Sequence, residues 1–143
     1  MEHQEIRERI TALETELQDM APGLDKAERE MELGRLWGAA GQPQRAAALF
    51  RAAYVARKKA HGTQDEGAVN AGLSAAAALK VAGEPRAAWQ LAQTLERSVG
   101  PTHSERAHVV AVYNELRPPG FRPATAAGRS GQKARKKKTK KRR

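Results

Sequence analysis

The sequence predicts an all-α fold, a short array of antiparallel helical hairpins followed by a disordered C-terminal tail. The first observation is an internal repeat, because the stretch that begins at Ala40 aligns with the one that begins at Ala82 after a shift of 42 residues. A match at a fixed period is typical of repeat architectures. The second is that apolar residues on both sides of each stretch follow helical spacing. The third is that a basic, low-complexity segment closes the chain.

The two aligned stretches have the chemistry of tight turns between helices. Gly41 and Gly83 each follow a helical run, and glycine commonly ends a helix because it tolerates a positive φ. Pro43 and Pro85 come two residues later and suit the first position of a new helix, where no N–H donor is needed. Both stretches therefore predict a helix, a turn and a second helix, and the alanines that follow each proline permit the two helices to approach closely.

Residues at fixed distances from the turn glycines form a pattern. Around Gly41 it consists of Leu-Gly, an aromatic residue, the turn, then alanine, an aromatic residue and alanine, while the copy around Gly83 keeps the small positions without the aromatic ones. The first set is Leu33, Gly34, Trp37, Ala46, Phe50 and Ala53, and the second is Ala75, Ala76, Leu79, Ala88, Ala92 and Leu95. In this pattern residues 25–116 resemble the tetratricopeptide repeat family, which implies a right-handed array of helical hairpins.

The linkers between hairpins extend the resemblance. The segment Gly100-Pro101-Thr102-His103-Ser104-Glu105-Arg106-Ala107 is similar to the linker of kinesin-light-chain-type repeats, whose period is 42 residues, and His61 to Asp65 is a looser version. Gly41 and Gly62 are 21 residues apart, but Gly83 and Gly100 are only 17 apart. The difference is about one helical turn, so we expect the second helix of the second repeat to be shortened.

The N-terminal 20 residues predict a helix with an apolar seam. Ile6, Ile10, Leu13, Leu17 and Met20 are separated by 4, 3, 4 and 3 residues, which is heptad spacing. One interpretation is a capping helix that folds its seam onto the first repeat. Another is a dimerisation helix, which would give a homodimer, and a third is a segment without stable structure.

Five further helices follow the break at Ala21-Pro22-Gly23. They are predicted over residues 26–40, 43–60, 66–81, 85–98 and 105–116. Asp25, with Glu28 reaching back, is a candidate capping box, and Asp65 and Ser104 are candidate N-caps. The last helix has no partner and is interpreted as the solvent-facing cap of the array, and Trp89 is expected to pack on a neighbouring helix.

Composition and charge divide the chain into an N-terminal helix (1–20), the repeats (25–116), a flexible linker (117–132) and a basic tail (133–143). From Arg117 onward there are 12 Lys and Arg and no Asp or Glu, so residues 1–116 carry 14 basic and 16 acidic side chains and a formal charge of −2. Cysteine is absent, and no apolar run approaches the ~20 residues that span a bilayer. The polar N-terminus is unlike a secretory signal, and we expect a cytoplasmic protein, or a nuclear one in a nucleated cell.

Signals of catalysis are lacking, and we expect a non-enzymatic protein without a cofactor or a metal. The four histidines (His3, His61, His103 and His108) do not fall in a metal-binding spacing. Most carboxylates lie at predicted helix starts or on exposed faces, where capping accounts for them. Neither a phosphate-binding glycine loop nor a nucleophile elbow is present.

The resemblance implies that a protein or peptide partner binds the concave surface, which the first helix of each repeat forms. Transferred position by position, that surface comprises Glu28, Met31, Arg35 and Gly38, then Asn70, Leu73, Ala77 and Lys80, and finally His108, Ala111 and Glu115. Arg35, Asn70 and Lys80 carry donors for a peptide carboxylate or backbone. The alternative is that these are ordinary solvated side chains. The residue set with which the family holds acidic tails is not recognisable.

The tail is a candidate polyanion-binding segment. The candidate residues are ten, one at the end of the linker and nine in the tail: Arg129, Lys133, Arg135, Lys136, Lys137, Lys138, Lys140, Lys141, Arg142 and Arg143. Repulsion at this charge density predicts disorder in the free state, and binding to nucleic acid would weaken steeply with salt. Without interleaved aromatic residues, base-specific binding is not expected. An anionic membrane surface, an acidic protein, a localisation signal or a merely solubilising tail are the alternatives.

Together these features favour an interaction adaptor, in which the repeats hold a protein partner and the tail attaches to a polyanion. The second hypothesis is a non-specific nucleic-acid-associated protein, in which the tail is the main functional element and the helices mediate oligomerisation.

Overall fold

A computed structural model describes residues 2–121 of the 143-residue chain. Within that range the protein is all-helical, with six α-helices and no strand. The helices are α1 (His3–Gln18), α2 (Leu24–Ala39), α3 (Pro43–His61), α4 (Glu66–Val81), α5 (Pro85–Ser98) and α6 (Arg106–Leu116). The predicted helices are thus confirmed to within two residues at each end. None of the helices in this range has the length and apolar character needed to cross a membrane.

The helices pack mainly on their neighbours in sequence, from α1 on α2 through to α5 on α6. The central core lies between α3, α4 and α5 and is built largely from small side chains. Gly72 in α4 is decisive there, because a Cβ at this position would lie 2.9 Å from Leu95 Cδ2 and 3.2 Å from Tyr54 Cδ1. The missing side chain lets α4 accept a residue from α3 and one from α5 on the same side.

The two aligned turns have the same geometry. Gly41 and Gly83 have φ values of 78° and 79°, the left-handed region that glycine tolerates best. The N–H of Gln42 donates to Trp37 O, and the N–H of Glu84 donates to Leu79 O, both at 2.9 Å. The sequence repeat of 42 residues is therefore a repeat of backbone hydrogen bonds as well.

Helix α1 packs its apolar seam onto α2 of the same chain. Ile6, Ile10 and Leu13 are buried against Leu33 of α2, with half-buried Leu17, Leu36, Trp37 and Leu49 around them. Two ion pairs join the same helices, Arg9 to Glu32 at 2.9 Å and Arg29 to Glu16 at 3.1 Å. The side chains that a dimer seam would need are consequently buried inside one chain.

Two of the three predicted N-caps are wrong. Asp65 does cap α4, since its Oδ2 accepts from the N–H of Ala68 at 2.9 Å. Asp25 does not cap α2, because the helix begins at Leu24 and places Asp25 inside the first turn. Ser104 does not cap α6 either. Helix α6 has no side-chain cap, and the His103 ring instead bonds the residue before the helix, with Nδ1 accepting from the N–H of Glu105 at 2.9 Å.

The second hairpin is shorter than the first, as the linker spacing predicted. Helix α5 has 14 residues where α3 has 19. The loop after α5 is held against the loop after α3, because the Gln64 side chain accepts from the N–H of Gly100 at 2.8 Å and also donates to Ser98 O. The His103 ring bonds Gln64 O at 2.8 Å, so both linkers are tied together.

The chain folds back after α6 rather than leaving the array at once. The N–H of Phe121 donates to Pro118 O at 3.1 Å, closing a turn that contains Gly120 at φ 78°. The Phe121 ring lies edge-on to Trp89 at 5.0 Å, and Trp89 also contacts Tyr113 of α6 at 4.8 Å. Trp89 packs on a neighbour as expected, and Phe121, predicted as part of the linker, contacts α5 through Trp89.

Candidate functional site

The predicted partner-binding residues lie along α2, α4 and α6, where three clefts share lining residues. The first cleft encloses about 420 Å³ between α2, α3 and α4, the second about 530 Å³ between the α2–α3 hairpin and α4, and the third about 380 Å³ between α4 and α6. Arg35 lines both the first and the second, and Ala77 lines both the second and the third. The clefts therefore form a continuous surface on this side of the array, which we call the groove.

The first cleft is polar. Of the predicted residues it contains Glu28, Met31 and Arg35 from α2 and Asn70 from α4. Its remaining lining residues are Arg29, Glu32, Arg57 and Gly67. Arg57 comes from α3, the second helix of the first hairpin, and was not among the predicted residues.

The second cleft is apolar and has a floor of small residues. Gly34 is essential to its shape, since a Cβ there would come 2.6 Å from Phe50 Cε1. The Phe50 ring can consequently bring one edge close to the backbone of α2 and form part of the floor. The other apolar or small lining residues are Gly38, Gly41, Pro43, Ala46, Ser74, Ala77, Ala78 and Val81. Val81 is 75% exposed, so an apolar side chain faces solvent at one end of this cleft.

The third cleft is bridged by an ion pair. Lys80 Nζ of α4 bonds Glu115 Oε1 of α6, so the two predicted residues neutralise each other. Ala77 and Val81 continue the apolar floor towards Val112 and Leu116. Lys80 was expected to hold a peptide, and its contact with Glu115 makes it a less available donor than Arg35 or Asn70.

Three predicted residues, Leu73, His108 and Ala111, line none of the three clefts. Leu73 is 5% exposed and lies in the central core with Tyr54 and Val69, because the face of α4 that carries it turns towards its neighbours. His108 is exposed and pairs with Glu105 of its own helix start, Nδ1 to Oε2 at 3.3 Å. Ala111 is exposed on α6, and none of these three side chains is part of the groove.

Among the described residues outside the groove, packing shifts the pKa of Tyr54 and of Glu30. Burial raises the pKa of Tyr54, whose hydroxyl is buried and has no hydrogen-bond partner among the described residues. Burial also raises the pKa of the Glu30 carboxyl, and nearby Lys26 offsets part of that shift. In residues 2–121 no three His, Asp or Glu side chains come together as a metal site would require.

The predicted polyanion-binding residues, from Arg129 to Arg143, lie outside the described residues. Neither family models, nor curated proteins, nor solved structures give a match to this chain. The groove and the basic tail are therefore the features from which a function has to be argued.

Proposed function

We propose that this protein is a non-catalytic interaction adaptor of the tetratricopeptide-repeat type. Its groove holds a segment of a partner protein, and its C-terminal tail attaches the complex to a polyanion. The observation that supports the proposal best is the continuity of the groove, which combines a polar cleft, an apolar floor and shared lining residues across four helices, α2, α3, α4 and α6.

The groove has the mixture that peptide recognition needs. Apolar floors bind side chains of the partner by removing them from water, while a few polar groups fix the orientation. Gly34 and Gly38 keep the floor open because they add no side chain to it. Arg35 stands where the polar and apolar parts meet and can bond a partner backbone or carboxylate while the apolar part buries a neighbouring side chain.

The proposal is tested with a substitution that fills the groove. Peptides are selected from a random display library on the immobilised full chain, with excess DNA present to occupy the tail. Their affinity is then measured on the wild type and on two matched variants, Ala77→Arg and Ala48→Arg. Both alanines are exposed and helical, but Ala77 lines the second and third clefts, whereas Ala48 lies on α3 and lines none of the three.

We expect most selected peptides to lose at least tenfold in affinity on Ala77→Arg, about 1.4 kcal/mol or more, and to bind Ala48→Arg as they bind the wild type. Circular dichroism and thermal unfolding confirm that both variants fold alike. If the peptides bind both variants equally well, the groove is not the partner site and the adaptor proposal fails.

The second function, non-specific association with nucleic acid, is favoured by the tail alone. Its measurement is a salt titration of DNA and RNA binding, comparing the full chain with a chain that ends at Gly128. Loss of binding on truncation, with a linear fall of log affinity against log salt, would identify the tail as a polyanion anchor. Absence of binding by the full chain at physiological salt would remove the second function, and it would remove nucleic acid as the polyanion of the adaptor proposal.

A further inference from the structure

Helix α3 carries more positive charge than any other described helix. It has five Lys and Arg and no Asp or Glu, and these five are half of the ten basic residues between positions 33 and 116. None of the five positions has a basic residue 42 places later in the chain, so the charge belongs to α3 and is not a property of the repeated hairpin. The five are Arg45, Arg51, Arg57, Lys58 and Lys59.

Four of these side chains share the face of α3 that is turned away from the core. At 3.6 residues per turn, their positions span about 140° around the helix, and the buried positions lie on the other side. The fifth, Arg57, lines the first cleft and lies outside this sector. We call the surface in this sector the outer face, and it comprises Arg45, Ala48, Arg51, Ala52, Val55, Lys58 and Lys59.

The positive charge of the outer face is not neutralised within the described part of the chain. Among residues 2–121, no carboxylate lies within ion-pair distance of any of its four cations. Two of the four lie over aromatic rings instead, the Arg45 guanidinium 4.5 Å from the Trp37 ring centre and Lys58 Nζ 4.9 Å from the Tyr54 ring centre. An aromatic ring attracts a cation without cancelling its charge, so these two heads are held in place while still charged.

The remaining side chains of the outer face restrict the kind of polyanion that fits it. The aromatic residues of α3, Phe50 and Tyr54, are buried, so the face offers no ring on which the bases of a single strand could stack. Val55 is its only large apolar side chain, which is too little for a helix that embeds in a lipid surface. The phosphates of a duplex require only cations, and the exposed Ala48 and Ala52 let a phosphate strand approach the helix closely.

We propose that the outer face of α3 binds the phosphate backbone of double-stranded nucleic acid, with Arg51 and Lys59 as the cations that contact phosphates directly. Both are exposed and bond no other described residue, so their heads are free to reach a ligand. From Arg45 to Lys59 the helix rises about 21 Å, which is the length of about six base pairs.

This site rests on neither the groove nor the tail. None of its residues lines any of the three clefts, so a duplex on the outer face and a polypeptide in the groove can be bound at the same time. The folded part of the chain thus supplies a rigid contact to nucleic acid in addition to any contact that the tail makes.

The test is a salt titration of the full chain, with anisotropy of a short labelled DNA duplex of arbitrary sequence as the readout. Two double variants each remove two positive charges: Arg51→Gln with Lys59→Gln on α3, and Arg86→Gln with Arg97→Gln on α5. All four side chains are exposed and make no ion pair among the described residues. Circular dichroism and thermal unfolding confirm that both variants fold like the wild type.

We expect the plot of log affinity against log salt to become shallower by about 1.8 in the α3 variant, because each phosphate contact contributes about 0.9 to the slope. Affinity for the duplex at about 0.15 M salt should fall at least about tenfold, with a smaller fall for a single strand of the same length. The α5 variant should keep the slope of the wild type. The tail is the same in every chain, so it does not contribute to these differences. Ala48→Arg adds a cation to the outer face and should strengthen duplex binding.

An unchanged slope in the α3 variant would leave the tail as the anchor and overturn the assignment. An equal change in both variants would also overturn it, because the loss would then follow from net charge alone. A larger loss on the single strand, or on vesicles of phosphatidylcholine and phosphatidylserine, would show that the outer face binds a different polyanion. If the full chain does not bind the duplex even at about 0.05 M salt, the outer face is no nucleic-acid site, whereas the groove is still decided by Ala77→Arg.

Discussion

The two hairpins α2–α3 and α4–α5 have the same turn and different cores. At the position of Gly34 the second hairpin has Ala76, and at the position of Phe50 it has Ala92, each 42 residues later. Gly34 leaves room for the Phe50 ring, whereas Ala76 and Ala92 each contribute one buried methyl group. The first hairpin thus pairs a large side chain with a glycine, and the second pairs two alanines.

A second exchange runs the other way. Ala53 of the first hairpin corresponds to Leu95 of the second, and Glu30 corresponds to Gly72. Gly72 admits Leu95 into the central core, while Glu30 stays half-buried beside a helix that carries only Ala53 at the matching place. The turn sets the direction in which the second helix of each hairpin runs. The space between the two helices is then filled by side chains of complementary volume.

The largest expected effect comes from Leu95→Ala. Leu95 is 1% exposed and contacts the open side of Gly72, so its removal leaves a cavity that rigid helices fill poorly. We expect a loss of about 2–5 kcal/mol in the free energy of unfolding, measured by urea titration. Leu24→Ala, at a position 37% exposed, is the matched control and should change stability far less. A loss below about 1 kcal/mol for Leu95→Ala would show that the second hairpin collapses around the gap.

A smaller effect is expected from Gly34→Ala, which tests the steric pairing with Phe50. The added Cβ would lie 2.6 Å from Phe50 Cε1, and overpacking of this kind costs about 1–3 kcal/mol. The same change at Gly38, where nothing crowds the Cβ, should stabilise the helix by up to about 1 kcal/mol.

The decisive comparison for this pair is a double-mutant cycle with Phe50→Leu, measured by thermal and urea unfolding. In the Phe50→Leu background the cost of Gly34→Ala should largely disappear, because the ring edge that it meets is gone. Additive costs would mean that the Gly34 and Phe50 positions are not coupled and that the exchange between the hairpins is coincidental.

Much of this fold could be predicted because its signals are local. Gly41 tolerates a positive φ and Pro43 suits a helix start, so the turn is predicted from three residues. The apolar seam of α1 is likewise predicted from its heptad spacing. What could not be predicted depends on contacts between distant residues. The linker before α6 is held by the His103 ring, which bonds both the N–H of Glu105 and the backbone oxygen of Gln64, 39 residues away.

The candidate site shows the same limit. Arg35 and Asn70 could be chosen from the helix positions that carry them, and both do line the first cleft. Arg57 could not, because it lies on a second helix and reaches the cleft only where Gly67 leaves room. Lys80 was chosen on the same rule as Arg35, but the partner that neutralises it comes from α6.

Equal effects are expected at the two turn glycines. Gly41→Ala and Gly83→Ala both place a Cβ on a residue with φ near 78°, which costs about 1–2 kcal/mol. Because nothing else lies within 4 Å of either Cβ position, the two losses should agree within about 0.5 kcal/mol by urea unfolding. A clear inequality would show that the two hairpins, despite matching hydrogen bonds, contribute unequally to folding.

The smallest effect is expected at Glu30, the counterpart of Gly72. Burial raises the pKa of this carboxyl above its ordinary value, so the folded state binds its proton more readily than the unfolded state does. The free energy of unfolding should therefore fall as pH rises from the ordinary pKa of a glutamate through the raised pKa, and the cost of burying the ionised carboxylate persists at neutral pH.

Glu30→Gln removes this dependence and should stabilise the protein at pH 7 by less than about 0.5 kcal/mol, since the group is largely screened by solvent. Glu14→Gln, an exposed carboxylate on α1, is the control of equal charge. If the two variants show the same pH profile of unfolding, the half-buried position of Glu30 carries no cost, and the first hairpin tolerates a charge where the second requires glycine.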